Sequence, residues 1–129
     1  MLGNFEAGRP NVEIEIEGIA NQNAPVRHNA CIDTGFNGYL TLPYAEVFPL
    51  GLVLSGAIKS TLADGSSSNS FLCIGKVIVG GREAFVTIDV QPEGNILVGT
   101  ALLKQLGIKM KIDFPREKVE LKYVTSSQV

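Results

Sequence analysis

Asp33 is the residue of this sequence that most needs a chemical explanation. It stands in Ala30-Cys-Ile-Asp-Thr-Gly-Phe-Asn-Gly-Tyr-Leu40, directly after a run suited to a buried strand. A lone carboxylate in such a place costs several kcal/mol to desolvate, so something must share its burden. The other chemistry-bearing residues are sparse: one histidine, His28, and two cysteines, Cys31 and Cys73. His28 alternates with Val26 and Ala30 and reads as an ordinary strand residue. Nothing near either cysteine in sequence would lower a thiol pKa, so both read as small apolar core residues rather than nucleophiles. No Cys-x-x-Cys or His-Glu-x-x-His spacing is present, and no metal site is expected.

Asp33-Thr34-Gly35 is short. By composition the tripeptide turns up in roughly 2–3% of chains of this length, so its setting must carry the argument. One reading is a plain β-turn, where Asp and Gly favour local hydrogen bonds and positive φ. The other is a carboxylate held for acid–base work on a loop between two strands.

The elements that would hold this loop follow a period of two. Val12, Ile14 and Ile16 alternate with Glu13, Glu15 and Glu17, the pattern of a half-buried strand with a solvated acidic face. A turn at Asn21-Gln-Asn-Ala-Pro25 precedes a strand over residues 26–32, and Tyr39-Leu-Thr-Leu42 resumes a strand after the loop. Pro43 suits a first helical position, and the helical turn it opens is expected to end at Pro49. Strands over 57–62 and 71–79 flank the polar tip Ala63-Asp-Gly-Ser-Ser-Ser-Asn69, and Gly80-Gly81 joins 76–79 to 83–90 as a tight hairpin. Ile96-Leu-Val98 is a short apolar run before Gly99. Thr100 is placed to cap a helix over 101–106, and Gly107 to end it. Strands over 108–114 and 118–124 close the chain around Pro115-Arg-Glu117, leaving Thr125-Ser-Ser-Gln-Val129 as a tail.

The 129 residues suffice for one domain with a modest core. Apolar residues are 45% and charged residues 19%, too apolar for a disordered chain. A net charge of -2 without a basic cluster argues against nucleic acid. No run has the length of a membrane span, and Met1 to Pro10 lacks the pattern of a secretion signal. With two cysteines and no disulfide framework, a reducing cytoplasm is the expected compartment.

Taken together, Ile32-Asp33-Thr34-Gly35 resembles the catalytic loop of the retropepsin-like aspartic proteases, the single-domain relatives of pepsin. Three more features match in chain order. Leu62-Ala-Asp-Gly-Ser66 with its flanking strands is similar to the family's flap hairpin. Ile96-Leu-Val-Gly99 followed by Ala101-Leu-Leu103 is similar to its apolar-apolar-Gly element and helix. The strands from Ile108 onward fall where the family places its closing strands. Asp-Thr-Gly-Phe-Asn-Gly-Tyr-Leu-Thr-Leu-Pro43 is especially similar to small predicted aspartyl proteases of prokaryotes, and the match spans about residues 10–124. At Thr100-Ala101 the sequence departs from the many members that carry an arginine there.

The resemblance implies a mostly β fold: a closed barrel with one short C-terminal helix, assembling as a two-fold dimer. It implies an aspartic endopeptidase that acts on peptides or proteins without cofactor or metal, with apolar residues flanking the scissile bond. Such enzymes activate water between two carboxylates that share one proton. This chain holds a single Asp-Thr-Gly; Asp64-Gly65 and Glu93-Gly94 lack the threonine. A lone copy therefore implies a homodimer in which Asp33 meets its symmetry mate. Asp33, Thr34 and Gly35 would form the catalytic loop. Ala63, Asp64, Gly65, Val98 and Gly99 would line the substrate site. Because fold does not guarantee activity, a non-catalytic dimeric peptide-binding or scaffold domain remains the alternative.

Overall fold

The computed structural model describes residues 1–19, 24–61 and 63–124. The expected turn at 21–23, Leu62 of the tip and the 125–129 tail lie outside the described residues. In chain order the elements are β1 (Asn4–Glu6), β2 (Arg9–Gly18), β3 (Val26–Ile32), β4 (Leu40–Pro43), α1 (Tyr44–Leu50) and β5 (Val53–Thr61). There follow β6 (Ser67–Val79), β7 (Arg82–Gln91), β8 (Leu97–Val98), α2 (Thr100–Gln105), β9 (Ile108–Asp113) and β10 (Lys118–Tyr123).

The main sheet has the order β1-β2-β3-β8-β4-β7-β6-β5, and β2 also pairs with β6. That extra pairing, Glu15 to Gly18 against Gly75 to Ile78, closes the sheet into a ring. Closure follows from the length of β2, whose first part pairs with β3 and whose last residues pair with β6. The alternation along β2 sends Val12, Ile14 and Ile16 fully inside. They meet Val77 and Val79 of β6, Ile88 and Val90 of β7, and Leu102 of α2 in one core. On the outer side Arg27 reaches Glu13 at 3.6 Å and Glu15 at 3.5 Å, and Lys76 reaches Glu17 at 3.1 Å, the solvated acidic face expected from sequence.

β9 and β10 form a separate antiparallel pair. It is tied to the barrel through the N-terminal segment, where the Gly3 N–H donates to Val119 O and the Leu121 N–H to Met1 O. Cys73 is buried, Cys31 is partly buried, and neither is in a disulfide. Among the described residues no helix is long and apolar enough to cross a membrane.

Three local expectations are corrected. Among the described residues there are two short helices rather than one, because the helical turn expected after Pro43 runs a full seven residues as α1 and keeps Pro49 inside it. Pro49 sits one residue from the end, where its missing N–H costs a single bond, and Gly51 at φ 62 stops the helix instead. A strand not foreseen, β1, makes a hairpin with β2 through Ala7 and Gly8, both left-handed at φ 51 and 76. Thr100 does not cap α2: Gly99 takes that position, and no side chain bonds to the helix start.

Candidate active site

β8 is the pivot of the site. It pairs parallel with β3 through Cys31–Leu97 and Ile32–Val98, and antiparallel with β4 through Leu40–Val98 and Thr41–Leu97. The chain leaves β3 at Ile32 and must cross over β8 before re-entering the sheet as β4. Residues 33–39 make that crossing, which puts Asp33 at the rim of the barrel.

Backbone bonds pin the crossing at both ends. The Asp33 N–H donates to Val98 O at 3.0 Å and the Gly99 N–H to Tyr39 O at 3.0 Å. The Phe36 N–H closes a turn onto Asp33 O at 3.1 Å. The first two N–H groups of α2, from Thr100 and Ala101, donate to Phe36 O at 2.9 Å and Gly38 O at 3.1 Å. Those donors would otherwise lack partners, so the loop itself caps the helix and no side-chain cap is required. Loop, β8 and α2 thus form one bonded unit. Glycine is obligatory at Gly99: a Cβ there would overlap the Gly38 carbonyl oxygen and come within 2.7 Å of Phe36 Cδ2.

Asp33 is half-buried, and Thr34 and Gly35 beside it are exposed. Asp33 Oδ1 accepts the Gly35 N–H at 2.9 Å, which fixes the plane of the carboxyl group. Among the described residues Oδ2 accepts no bond. One oxygen is therefore held and the other is available for chemistry.

Of the residues singled out from sequence, Asp33, Thr34, Gly35, Val98 and Gly99 come together in this unit. Val98 is fully buried beneath the loop. Ala63, Asp64 and Gly65 lie on the turn between β5 and β6, and no hydrogen bond among the described residues joins them to the Asp33 loop. That tip is self-contained: Asp64 Oδ1 accepts the Ser66 hydroxyl at 2.6 Å and the Ser66 N–H at 2.9 Å. The Ser66 hydroxyl, then its backbone N–H, holds the Asp64 carboxyl below its ordinary pKa. His28 stays a strand residue, with Nε2 3.4 Å from Glu46 Oε2 of α1 but not aligned for a hydrogen bond.

Two contributors were missed from sequence. Thr41, 3% exposed, donates its hydroxyl to Asn95 O at 3.1 Å and accepts the Leu97 N–H at 3.0 Å, which locks β8 to β4. Cys31, the penultimate residue of β3, precedes Asp33 by two residues and lies near enough to feel its charge. Burial pushes its thiol pKa up; the Arg9 guanidinium opposes this, and the Asp33 carboxylate adds to the rise. Arg9, the first residue of β2, therefore reaches the same neighbourhood as Asp33.

No family model matches the chain, and no curated protein matches it by sequence. Solved structures do match. The chain is similar to EIAV protease complexed with the inhibitor HBY-793, with a TM-score of 0.56 and 20% sequence identity over 81% of this chain and 93% of that one. It is also similar to the solution structure of the simian foamy virus (mac) protease, with a TM-score of 0.56 and 18% identity over 74% of this chain and 93% of that one. The fold is that of the retropepsin-like aspartic proteases.

Proposed function

We propose that this chain is an aspartic endopeptidase, active as a homodimer in which two Asp33 loops meet across a two-fold axis. The observation that supports it best is a single Asp-Thr-Gly loop, braced by β8 and α2, that leaves Thr34 and Gly35 exposed on a retroviral-protease fold. An exposed loop with one carboxylate is half of a two-carboxylate site, and a second copy supplies the other half.

In that assembly the two Asp33 groups share one proton and hold a water between them. The ionised carboxylate takes a proton from the water as it attacks the scissile carbonyl, while the protonated one donates a hydrogen bond to the carbonyl oxygen. Collapse of the tetrahedral intermediate moves a proton onto the leaving nitrogen and restores the dyad. The Gly35 N–H keeps each carboxyl group in a fixed plane, so little reorganisation accompanies the step. Thr34 would bond across the axis and hold the two loops together. Gly35 presents no side chain to an approaching peptide backbone. Val98 and Gly99 pack beneath the loop and exclude water, which strengthens the electrostatics above them. The Ala63-Asp64-Gly65 tip would close over a peptide lying extended in the cleft and bonded to strand edges.

The test is cleavage of a diverse peptide pool from about pH 4 to 8, read by mass spectrometry, by the wild type and by Asp33→Asn. Both proteins are first shown to be folded and to sediment alike. Loss of cleavage in the variant is expected, with a bell-shaped pH profile on the acidic side in the wild type. Equal cutting by both would sink the proposal. Dimers that bind peptides without cutting would make this a peptide-binding domain with a protease fold.

A further inference from the structure

A cavity of about 400 Å³ opens beside the Asp33 loop, lined chiefly by Glu6, Arg9, Asn11, Asn29, Cys31 and Asn95. Its walls come from the β1–β2 hairpin, β3 and the segment leading into β8, brought together by the Asn11–Cys31 and Cys31–Leu97 pairings. Asp33 directly follows β3, two residues and roughly 7 Å of extended chain beyond Cys31. An extended peptide has a similar two-residue repeat, so one lying along this segment with its reacting carbonyl at Asp33 would bring a side chain within two positions of that bond to the cavity.

The lining is polar, and its charges are unequally engaged. Glu6 Oε2 already accepts the Asn29 side-chain N–H at 2.6 Å, and Asn29 is further tied to Asn4 at 3.0 Å. Asn11, 6% exposed, spends its side-chain N–H on Arg9 O at 2.8 Å and so fixes the backbone of Arg9. Among the described residues the Arg9 guanidinium forms no salt bridge; its neighbour is the Cys31 thiol, toward which it donates. A planar fork of donors with no carboxylate partner matches a carboxylate. An apolar side chain would desolvate Arg9 and Asn95 and meet only Ala7 and Ile96 in return.

We infer that this cavity is a substrate subsite for an acidic side chain, with Arg9 as the residue that sets the preference. Its position beside a scissile bond rests on the proteolytic reading above; its chemistry rests on the lining alone. For this one subsite, it replaces the expectation of an apolar flanking residue.

Binding and cleavage are measured separately. The full-length Asp33→Asn protein is titrated into labelled peptides identical except for Glu, Gln, Leu or Lys, scanned across the two positions on each side of a central bond. Fluorescence anisotropy gives the affinities. At one position Glu is expected to bind about three- to fivefold more tightly than Gln, the range of a partly solvated ion pair, and Leu more weakly still. Adding Arg9→Gln should erase the Glu preference, and Arg9→Glu should turn it into a preference for Lys. Asn95→Asp, which leaves Arg9 in place, should also weaken Glu binding. Equal affinity for all four peptides, a preference for Leu, or no binding at all overturns the assignment. Wild-type cleavage of the same peptides keeps the two readings apart. A Glu preference without Asp33-dependent cutting removes proteolysis and leaves the subsite standing, whereas cutting without that preference does the reverse.

Discussion

Thr41→Val tests whether β8 is held in place by one buried hydroxyl. The replacement keeps the shape of a side chain that is 3% exposed. It removes the bond to Asn95 O at 3.1 Å and the acceptor of the Leu97 N–H at 3.0 Å. Two net hydrogen bonds are worth about 2 kcal/mol, and a backbone N–H left without a partner adds about 1 kcal/mol. The new methyl group returns about 1 kcal/mol through burial. The expected loss is therefore about 2 kcal/mol. Thr41→Ser is the control, since it keeps both bonds and gives up one buried methyl group, at about 1 kcal/mol. Urea unfolding at one fixed protein concentration measures both, the concentration being held because dimerisation would add to apparent stability. The two variants exchange opposite atoms of one side chain, so their order is the decisive result. If Val costs less than Ser, the hydroxyl is not what locks β8, and the bracing of the Asp33 loop must come from the backbone bonds alone.

Two further outcomes follow from the same geometry. Gly99→Ala should cost about 3 kcal/mol in the same unfolding assay, because its Cβ meets the Gly38 backbone, which no rotamer change can relieve; a loss under about 1 kcal/mol would show that the loop and α2 separate easily. Tyr123 donates its hydroxyl to Val79 O, and burial lifts its pKa above the ordinary 10.0 despite the Arg82 guanidinium over its ring. The folded state then holds the phenol proton more tightly than the unfolded chain, so this contribution is complete below pH 10.0 and is lost as pH rises through the folded value. Tyr123→Phe should cost about 1 kcal/mol at neutral pH and make melting temperature fall less steeply in alkali than in the wild type. Identical alkaline slopes in the two proteins would show that Tyr123 is not the titrating group.

What could be read from the sequence was what neighbouring residues decide. Val26–Ile32 is the strand its alternation predicts, Gly80 and Gly81 make the two-residue turn with φ 55 and 86, and Gly107 ends α2 at φ 66. Asp33 stood out because a carboxylate after Cys31-Ile32 violates the local pattern, and such violations collect where function is. What could not be read depends on pairings between distant segments. Thr41 sits in Leu-Thr-Leu, where a period of two sends it to solvent; it is buried because β8, more than fifty residues later, comes to lie beside it. Thr100 looked like a cap because its partners could not be foreseen, and the loop carbonyls took that role.

The same distinction separates the proposed reaction from its proposed specificity. A dyad needs one short motif and a symmetry axis, so a single chain can advertise it. The cavity near its loop takes Arg9 from the start of β2, Asn29 from β3 and Asn95 from the approach to β8. No two of these are close in sequence, and each alone reads as an ordinary polar surface residue. Only the β2–β3–β8 register sets the guanidinium near the Cys31 thiol, where it forms no salt bridge among the described residues. The family resemblance pointed to apolar side chains around the scissile bond because the motif carries the chemistry common to the fold. Residues that would choose a substrate lie outside that motif, and in the cavity proposed as a subsite they include a guanidinium with no salt bridge among the described residues.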